Sequence, residues 1–323
     1  MRIGFLIPLF LLGGCWEDAI HSNPLDPLSP EYIDAGSIDG IVTDRGFNSI
    51  SEVIISLTPG GQTATTTTDG RFVFDSVPPG VYTLTASGNG LEAAMSEVTV
   101  VANATASVSQ TINLLPAVTG VDLTTLHVSR WWPQDDLFRL DARAAVSDGD
   151  GLVDVAGVEL SIIDIQFSQP LQATTEAGVF ELSLTEEDLG GIALHSLLGK
   201  PLELVVTDQF GSSATSGPVF LTRIVDFVPE TDSPTGSQEI PGGNPLLTWN
   251  AADTPFVHTY QIDVFRVDDD VDTNVYMLEN VPSSELSVQL SENFAVGQYY
   301  WTCSVVDEYG NRSRSKEAGF VVP

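Results

Sequence analysis

The chain has 323 residues, with 44 acidic and 12 basic side chains and a formal net charge of −32 at pH 7. Such a charge repels phosphate backbones, so the composition argues against nucleic acid as a partner. Hydrophobic residues make up 42% of the chain and charged residues 17%, a composition that excludes a disordered tail and is typical of folded globular domains. At about 150 residues per domain, the length predicts two or three domains.

The first fifteen residues have the pattern of an export signal. Arg2 precedes an apolar run over residues 3–12, which is too short to span a bilayer as a helix. The run ends in Leu12-Gly13-Gly14-Cys15, which resembles the bacterial lipobox. The resemblance implies cleavage before Cys15, lipidation of that cysteine, and attachment of the mature protein to a membrane through the lipid.

A proline-rich tether is predicted directly after the signal peptide. The signal peptide covers residues 1–14, and the lipidated cysteine and tether cover residues 15–36. Three prolines recur at intervals of three over residues 24–30, which favours an extended polyproline II conformation. Trp16 follows the cysteine. In the lipoprotein family, Asp at that position often marks retention in the inner membrane, so the resemblance favours a cell-envelope location at the outer membrane.

Residues 37–115 contain about seven short runs of alternating apolar and polar side chains, which predict β-strands. Asp69-Gly70 indicates a tight hairpin, and the alternation after it places Phe72 and Phe74 on one face of the next strand. Together with Gly40-x-Val42-x-Asp44 and Pro79-Gly80-x-Tyr82, these residues resemble the carboxypeptidase regulatory-like domain. The resemblance implies a small β-sandwich of transthyretin-like topology, usually an accessory module without catalysis.

A second β-sandwich, immunoglobulin-like, is predicted over residues 116–228. A weak internal repeat supports it, because Asp208-Gln209-Phe210-Gly211 and Asp307-Glu308-Tyr309-Gly310 both follow an apolar strand with an Asp-x-aromatic-Gly turn. Thr185-Glu186-Glu187-Asp188 resembles a capping signal for a short helical turn through about Leu198. A hinge is expected over residues 226–234.

Residues 229–323 are predicted to form a third β-sandwich. Leu247-x-Trp249, Tyr260-x-Ile262-x-Val264 and Gly297-x-Tyr299-x-Trp301 resemble the fibronectin type III domain and related bacterial immunoglobulin-like domains. The resemblance implies that Trp249 lies in the core between two sheets. The predicted fold is therefore all-β, with three tandem β-sandwich domains after a lipoprotein signal peptide.

One acidic segment is a candidate metal site. Asp148, Asp150 and Asp154 follow a predicted strand, and carboxylates at such spacing beside glycine can wrap a calcium ion. The alternative is a β-turn that uses Asp and Gly for its geometry, and we favour the turn. The acidic run over residues 268–272 is most simply a hairpin tip, with calcium as the weaker alternative there. No other cofactor is expected.

Trp131 and Trp132 are candidate ligand-binding residues. They precede a predicted strand that starts at Leu137. Adjacent tryptophans can stack on a sugar ring, cover a seam between domains, or fill a core. The sequence favours the core or the seam and leaves the sugar platform as the alternative.

The sequence predicts a protein without catalytic activity. Cys303 lies within a strand-like run, where a buried and inert thiol is expected. Of the four histidines, none has a second ligand at metal spacing, which makes a zinc site improbable; they are His21, His127, His195 and His258.

Two functions are compatible with these patterns. The preferred one is a lipid-anchored cell-envelope protein that presents β-sandwich modules for adhesion or scaffolding. The alternative is a carbohydrate-binding accessory lipoprotein. The expected partners are therefore a membrane, reached through the N-terminal lipid, and an envelope protein or a polysaccharide whose identity the sequence does not give.

Overall fold

The computed structural model describes residues 23, 26, 28–32, 34–268 and 271–323. The predicted signal peptide, the lipidation site Cys15 and most of the tether lie outside these residues, as do two residues of the acidic run at 268–272. Within the described part, the fold is all-β and no helix has the length and apolarity needed to cross a bilayer. The chain divides into two compact units, the first ending at Leu114 and the second running from Leu115 to Pro323.

The first unit is a β-sandwich with seven strands in its described part. The strands are β1 (Gly36–Thr43), β2 (Ile54–Thr58), β3 (Thr63–Thr65), β4 (Arg71–Val77), β5 (Gly80–Ser87), β6 (Ala94–Val100) and β7 (Thr105–Thr111). One sheet has the order β4-β1-β7 and the other the order β3-β2-β5-β6. Strand β1 pairs with β4 antiparallel and with β7 parallel.

The core of this unit confirms the expected aromatic face, but the expected hairpin is wrong: the Asp69-Gly70 turn connects the two sheets, because β3 pairs with β2 and β4 pairs with β1. Phe72 and Phe74 are 2% and 4% exposed, and their rings meet edge to face with centroids 5.9 Å apart. Gly70 has a φ of +73°, a conformation that side chains disfavour. A Cβ there would lie 2.6 Å from the main-chain oxygen of Val42, so this turn between the two sheets requires glycine at this position.

The second unit contains the remaining strands and the three short 3-10 helices of the described chain. The strands are β8 (Ala117–Val128), β9 (Leu137–Ser147), β10 (Val155–Ile162), β11 (Phe167–Pro170), β12 (Gln172–Ala173), β13 (Val179–Thr185), β14 (Pro201–Asp208), β15 (Ser213–Thr215), β16 (Val219–Phe220), β17 (Thr231–Ser233), β18 (Gln238–Glu239), β19 (Leu246–Trp249), β20 (His258–Asp268), β21 (Val271–Pro282), β22 (Ser287–Gln289), β23 (Gly297–Asp307), β24 (Arg312–Arg314) and β25 (Ala318–Val322). The helices are Leu152–Asp154, Ile163–Ile165 and Leu194–Leu197.

Two hydrophobic cores lie within the second unit. The first packs β8, β9 and β13 against the sheet β11-β10-β14-β15 and includes the buried Leu140, Leu160 and Leu204. The second packs β20, β23 and β25 against the sheet β17-β19-β22 and centres on Trp301 and Tyr260, both 0% exposed. We call these parts the middle module and the last module.

The two modules share one ten-stranded sheet, whose main path runs β12-β13-β9-β8-β24-β23-β20-β21. The parallel pairing of β8 with β24 joins them, with His127 opposite Ser313. The chain itself crosses from one core to the other at Ile224 and Val225, which belong to the first and the second core. The hinge expected at residues 226–234 therefore begins directly after the core residue Val225. Part of it forms strand β17, Thr231–Ser233.

Hydrogen bonds around one buried carboxylate reinforce this junction. Asp307 is 6% exposed, and its two oxygens accept from the main-chain N–H of Tyr309 and from the main-chain and side-chain N–H of Asn311. Nη1 of Arg223 in the middle module also donates to Asp307, at 2.9 Å. The loop of Asn311 connects back to β8, because Asn311 Oδ1 accepts from the main-chain N–H of Thr125 at 2.9 Å.

The predicted repeat of the Asp-x-aromatic-Gly turn is confirmed. Asp208 is 2% exposed and accepts from the main-chain N–H groups of Phe210 and Ser212, as Asp307 does from Tyr309 and Asn311. The side chain in each case closes the turn at the end of a buried strand. The buried aspartate thereby replaces water as the acceptor for two main-chain donors.

Of two smaller expectations, the first holds in part and the second in full. The hydroxyl of Thr185 accepts from the main-chain N–H of Asp188 while Asp188 Oδ2 accepts from that of Thr185, but these bonds close a turn, and the 3-10 helix begins only at Leu194, with Ala193 as its N-cap. Cys303 is 0% exposed, and burial raises the pKa of its thiol well above the ordinary value. The thiol is therefore an inert core residue.

We predict that Asp307→Ala destabilises the second unit by about 3 kcal/mol, because it leaves three main-chain and side-chain donors and the Arg223 guanidinium without their buried acceptor. Urea unfolding followed by tryptophan fluorescence measures the change. Asp122→Ala is the matched control: its carboxylate is 76% exposed and forms a 4.0 Å surface ion pair, so a change within about 0.5 kcal/mol is expected. Equal losses for the two variants would contradict this role of Asp307.

Candidate ligand-binding surfaces

Trp131 lies on the surface at the seam between the middle and last modules. It is 64% exposed, and its Nε1–H donates to the main-chain oxygen of Glu317 at 2.8 Å. The ammonium of Lys316 lies 4.5 Å from the centroid of its ring, within the range of a cation–π interaction. Two contacts from the last module therefore fix the orientation of an exposed indole.

A cleft opens beside this tryptophan. Its volume is about 410 Å³, and its lining includes Ser129, Trp131, Glu230 and Lys316. Trp132, the next residue along the chain, is 83% exposed. An indole ring left in water forgoes about 2 kcal/mol or more of burial free energy, so the exposed ring of Trp131 at the cleft and the exposed ring of the adjacent Trp132 favour a ligand with an apolar face.

The structure decides among the three interpretations of this tryptophan pair. Placement in the core is wrong, because both rings are mainly exposed. The seam interpretation holds for Trp131 alone, through its contacts with Lys316 and Glu317. These two partners lie 185 or more residues further along the chain, and the sequence contains no local signal that would have paired them with Trp131.

The structure brings the three predicted acidic residues together. Asp148, Asp150 and Asp154 can each direct one carboxylate oxygen so that the three oxygens lie within 4.8 Å of one another. Gly151 between them has a φ of +106°, and the 3-10 helix Leu152–Asp154 turns the last carboxylate back toward the other two. This spacing is compatible with a single divalent cation.

The electrostatics of this cluster are dominated by like charges. Burial raises the pKa of Asp148, and the negative charges of Asp154, Asp150 and Asp208 raise it further. Asp208 lies at the end of β14, opposite Val155 of β10, and is 2% exposed. The sequence pattern did not include it among the candidate metal ligands. A bound cation would relieve the repulsion among these carboxylates, because opposite charges at short range favour the ionised form.

The turn interpretation of the same segment is also present in the structure. Asp148 Oδ1 accepts from the main-chain N–H of Asp150 at 2.8 Å, and the main-chain oxygen of Asp148 accepts from Gly151. These bonds form an Asx-type turn with Asp at its start. Because the turn uses only one oxygen of Asp148, the two interpretations are compatible, and calcium stays a prediction.

The described histidines are held in separate structural contacts. His127 is buried in the shared sheet, with Nε2 3.0 Å from Asp136 Oδ2 and Nδ1 3.1 Å from the hydroxyl of Ser313. His195 pairs with Asp226 on the surface, and His258 Nδ1 contacts the hydroxyl of Thr254. His127 and His195 also both pack against the ring of Phe138, with centroids 4.4 and 5.0 Å away.

One protein family matches part of the chain. The model of the carboxypeptidase regulatory-like domain matches residues 37–114, which correspond to the first unit. This agrees with the resemblance carried by the Asp69-Gly70 turn and the strands around it. No curated protein sequence matches the chain.

Several solved structures match the chain at low identity. BcpA, the major pilin subunit of Bacillus cereus, is 11% identical with a TM-score of 0.29, over 86% of this chain and 91% of that one. The FN1–FN3 domains of chicken CNTN1 are 12% identical with a TM-score of 0.29, over 84% and 90%. The Bacillus anthracis TIE protein is 10% identical with a TM-score of 0.28, over 90% of this chain and 49% of that one. The chain thus spans about half the length of TIE, and TM-scores below 0.5 carry no information on function.

We predict that calcium stabilises the second unit through the acidic cluster. With a dissociation constant of about 0.1 mM, a value found for extracellular calcium modules, 10 mM calcium would add about 2.7 kcal/mol and raise the Tm by about 5 °C or more. Differential scanning calorimetry with calcium, with magnesium and with EDTA measures this shift. Asp150→Asn should abolish the shift, while Asp122→Asn on the exposed sheet surface should retain it. The same Tm in calcium and in EDTA would eliminate the calcium site.

Proposed function

We propose that the protein is a non-enzymatic, lipid-anchored cell-envelope protein that presents β-sandwich modules for adhesion or scaffolding. The observation that carries this proposal is the sheet shared by the middle and last modules, which joins them through the β8–β24 pairing. The lipobox-like Leu12-Gly13-Gly14-Cys15 supplies the anchor in this proposal.

The junction supports a presenting role because it resists relative movement of the two modules. Arg223 reaches Asp307 and Glu308 in the last module, at 2.9 and 3.1 Å, and its guanidinium lies 4.3 Å from the ring centroid of Phe256. The hydroxyl of Thr125 donates to the main-chain oxygen of Arg223 and its main-chain N–H donates to Asn311 Oδ1, which closes a ring of hydrogen bonds. A surface that spans such a junction keeps its geometry without a ligand, which lowers the entropic cost of binding.

The surroundings of Cys303 and His127, a possible nucleophile and a possible base, also support the proposal of a protein without catalytic activity. Cys303 is buried with a raised pKa, and His127 is buried between Asp136 and Ser313. Neither presents a reactive atom to a cleft, which general acid–base or nucleophilic chemistry requires.

A second candidate function is carbohydrate binding, and the exposed tryptophans are the observation that favours it. Trp131 is held in place by Glu317 and Lys316, and Trp132 beside it is 83% exposed. Fixed indole rings match the apolar face of a sugar ring. Under this candidate, the protein presents a polysaccharide-binding surface at the cell envelope.

The lipid anchor is tested by labelling cells with an alkyne analogue of palmitate. We expect the wild-type protein and Cys303→Ser to be labelled and to sediment with the membrane fraction. Cys15→Ser should lose both properties, because it removes the thiol that receives the lipid. A labelled Cys15→Ser protein, or an unlabelled wild type whose mature N-terminus is elsewhere, would refute the anchor.

The carbohydrate candidate is tested by glycan-array binding of the full-length protein. Trp132→Ala removes an exposed stacking ring, and a loss of about 10-fold in affinity is expected since each stacked aromatic contributes about 1 kcal/mol or more. Phe47→Ala is the matched control, because Phe47 is also 83% exposed but lies in the first unit. Equal binding by the two variants would argue against a tryptophan platform.

A further inference from the structure

A second, polar groove lies on the face of the shared sheet that points away from the two cores. Its volume is about 430 Å³. Alternate residues of β20, β21, β23 and β24, with Leu126 of β8, form it; the residues used below are Asp263, Met277, Glu279, Thr302, Arg312 and Arg314. The groove crosses the junction, because Arg312 pairs with Leu126 of the middle module.

The floor of this groove is polar and buried. On β23, Trp301 and Cys303 face the core, whereas the intervening Thr302 and Ser304 face the groove and are still only 0% and 3% exposed. Asp263 on β20 is 9% exposed and accepts from the side-chain amides of Gln261 and Asn274. A sheet face turned to solvent carries exposed polar groups, so the burial of these groups shows that the groove is concave.

Two polar atoms in the groove have no internal partner. Among the described residues, the buried hydroxyl of Thr302 and the buried Nε of Arg314 make no hydrogen bond. Each such atom costs about 1–3 kcal/mol relative to a satisfied one. The guanidinium of Arg312 also forms no ion pair or hydrogen bond with the described part of the chain, so its five N–H donors are available in this groove.

The groove carries charges of both signs, although the protein as a whole is strongly acidic. Arg312 and Arg314 lie beside Asp263 and Glu279, and Arg314 also pairs with Glu317, in a protein with a net charge of −32. A long acidic ligand would be repelled by the rest of the surface. A ligand that both donates and accepts, with no net charge, satisfies guanidinium donors and carboxylate acceptors together, and vicinal hydroxyl groups have this property.

The walls of the groove are apolar. The rings of Phe265 and Tyr300 stack with centroids 4.8 Å apart, and Met277 is 54% exposed. Burial and the charge of Asp272 raise the pKa of Tyr300 to about 12, so its hydroxyl stays neutral in neutral solution. Apolar walls above a floor of donors and acceptors match a sugar ring, which has C–H faces and a hydroxylated edge.

The neighbouring part of the same sheet face differs in chemistry. There, on β9, Arg143 pairs with Glu176 and Glu181, and Arg139 pairs with Asp141. Those guanidinium groups are therefore satisfied by the protein itself. Arginine donors that lack a protein acceptor occur in the groove, which makes the groove the part of this face suited to a ligand.

The geometry points to this groove as a binding site for a neutral saccharide, with Arg312 donating to vicinal ring hydroxyls. The inference rests on the carbohydrate-binding candidate above and adds a second site to it. The two sites meet at Glu317, whose carboxylate accepts from Arg314 and whose main-chain oxygen accepts from Trp131.

Isothermal titration calorimetry of the full-length protein with cellohexaose, xylohexaose, mannohexaose and hexagalacturonate tests the site. We expect at least one neutral hexasaccharide to bind, with an affinity that changes less than two-fold between 0.1 and 0.5 M NaCl. Arg312→Gln should weaken binding about 10-fold, since it removes bidentate donors to the sugar. Arg312→Lys, which keeps the charge but not the planar fork, should also weaken it. Arg143→Gln, on the same face outside the groove, should bind like the wild type.

Three outcomes would overturn the site: no neutral hexasaccharide binds, hexagalacturonate alone binds, or Arg312→Gln binds as tightly as Arg143→Gln. Loss of binding in Trp132→Ala with unchanged binding in Arg312→Gln would keep the tryptophan platform and reject the groove. Loss in Arg312→Gln with unchanged binding in Trp132→Ala would support the groove and reject the platform. Membrane labelling through Cys15 is independent of all these results, so the anchor is judged separately.

Discussion

The buried carboxylate of Asp307 is the group on which the arrangement of the second unit depends. It accepts four hydrogen bonds, which come from its own turn and from Arg223 of the middle module. Because its side chain is 0% exposed, water cannot replace any of these donors. The carboxylate therefore fixes the turn before β24, and that turn places β24 where it can pair with β8. The shared sheet depends on this placement. The two surfaces at the junction, the tryptophan pair and the polar groove, depend on it as well.

The same turn chemistry occurs in three places with different consequences. Asp44 in the first unit accepts from the main-chain and side-chain N–H of Asn48, as Asp307 does from Asn311. Asp208 accepts from the main-chain N–H groups of Phe210 and Ser212, and Ser212 stands where the other two turns have asparagine. The asparagine at the fifth position of the Asp307 turn also accepts from Thr125, which extends the network into the middle module. The Asp307 turn therefore differs from the other two in its contacts with the middle module. These contacts are made by the side-chain amide of Asn311 and by the guanidinium of Arg223.

The sequence was sufficient for features set by local patterns and insufficient for those set by distant contacts. Alternation and turn residues predicted the sandwich around Phe72, the repeat at Asp208 and the buried thiol of Cys303, because each depends on neighbours within a few residues. The shared sheet depends on the pairing of residues 126–128 with residues 312–314, and nothing in either short segment specifies the other. For the same reason, the pattern around Trp131 did not show that its partners are in the last module.

The joined sheet also explains why the polar groove was not visible in the sequence. In β23, nearly every residue from Tyr299 to Asp307 is half-buried or buried, so the strand is covered on both faces. One face is apolar, and the other carries Thr302 and Ser304. In the sequence, these two residues have the pattern of solvent-facing polar positions on a half-exposed strand. If the modules were separate, β24 would be an edge strand and Arg312 would face solvent instead of lying beside Leu126. The groove is therefore a property of the two modules together, and the Asp307 network that joins them is the structural basis of any binding at their seam.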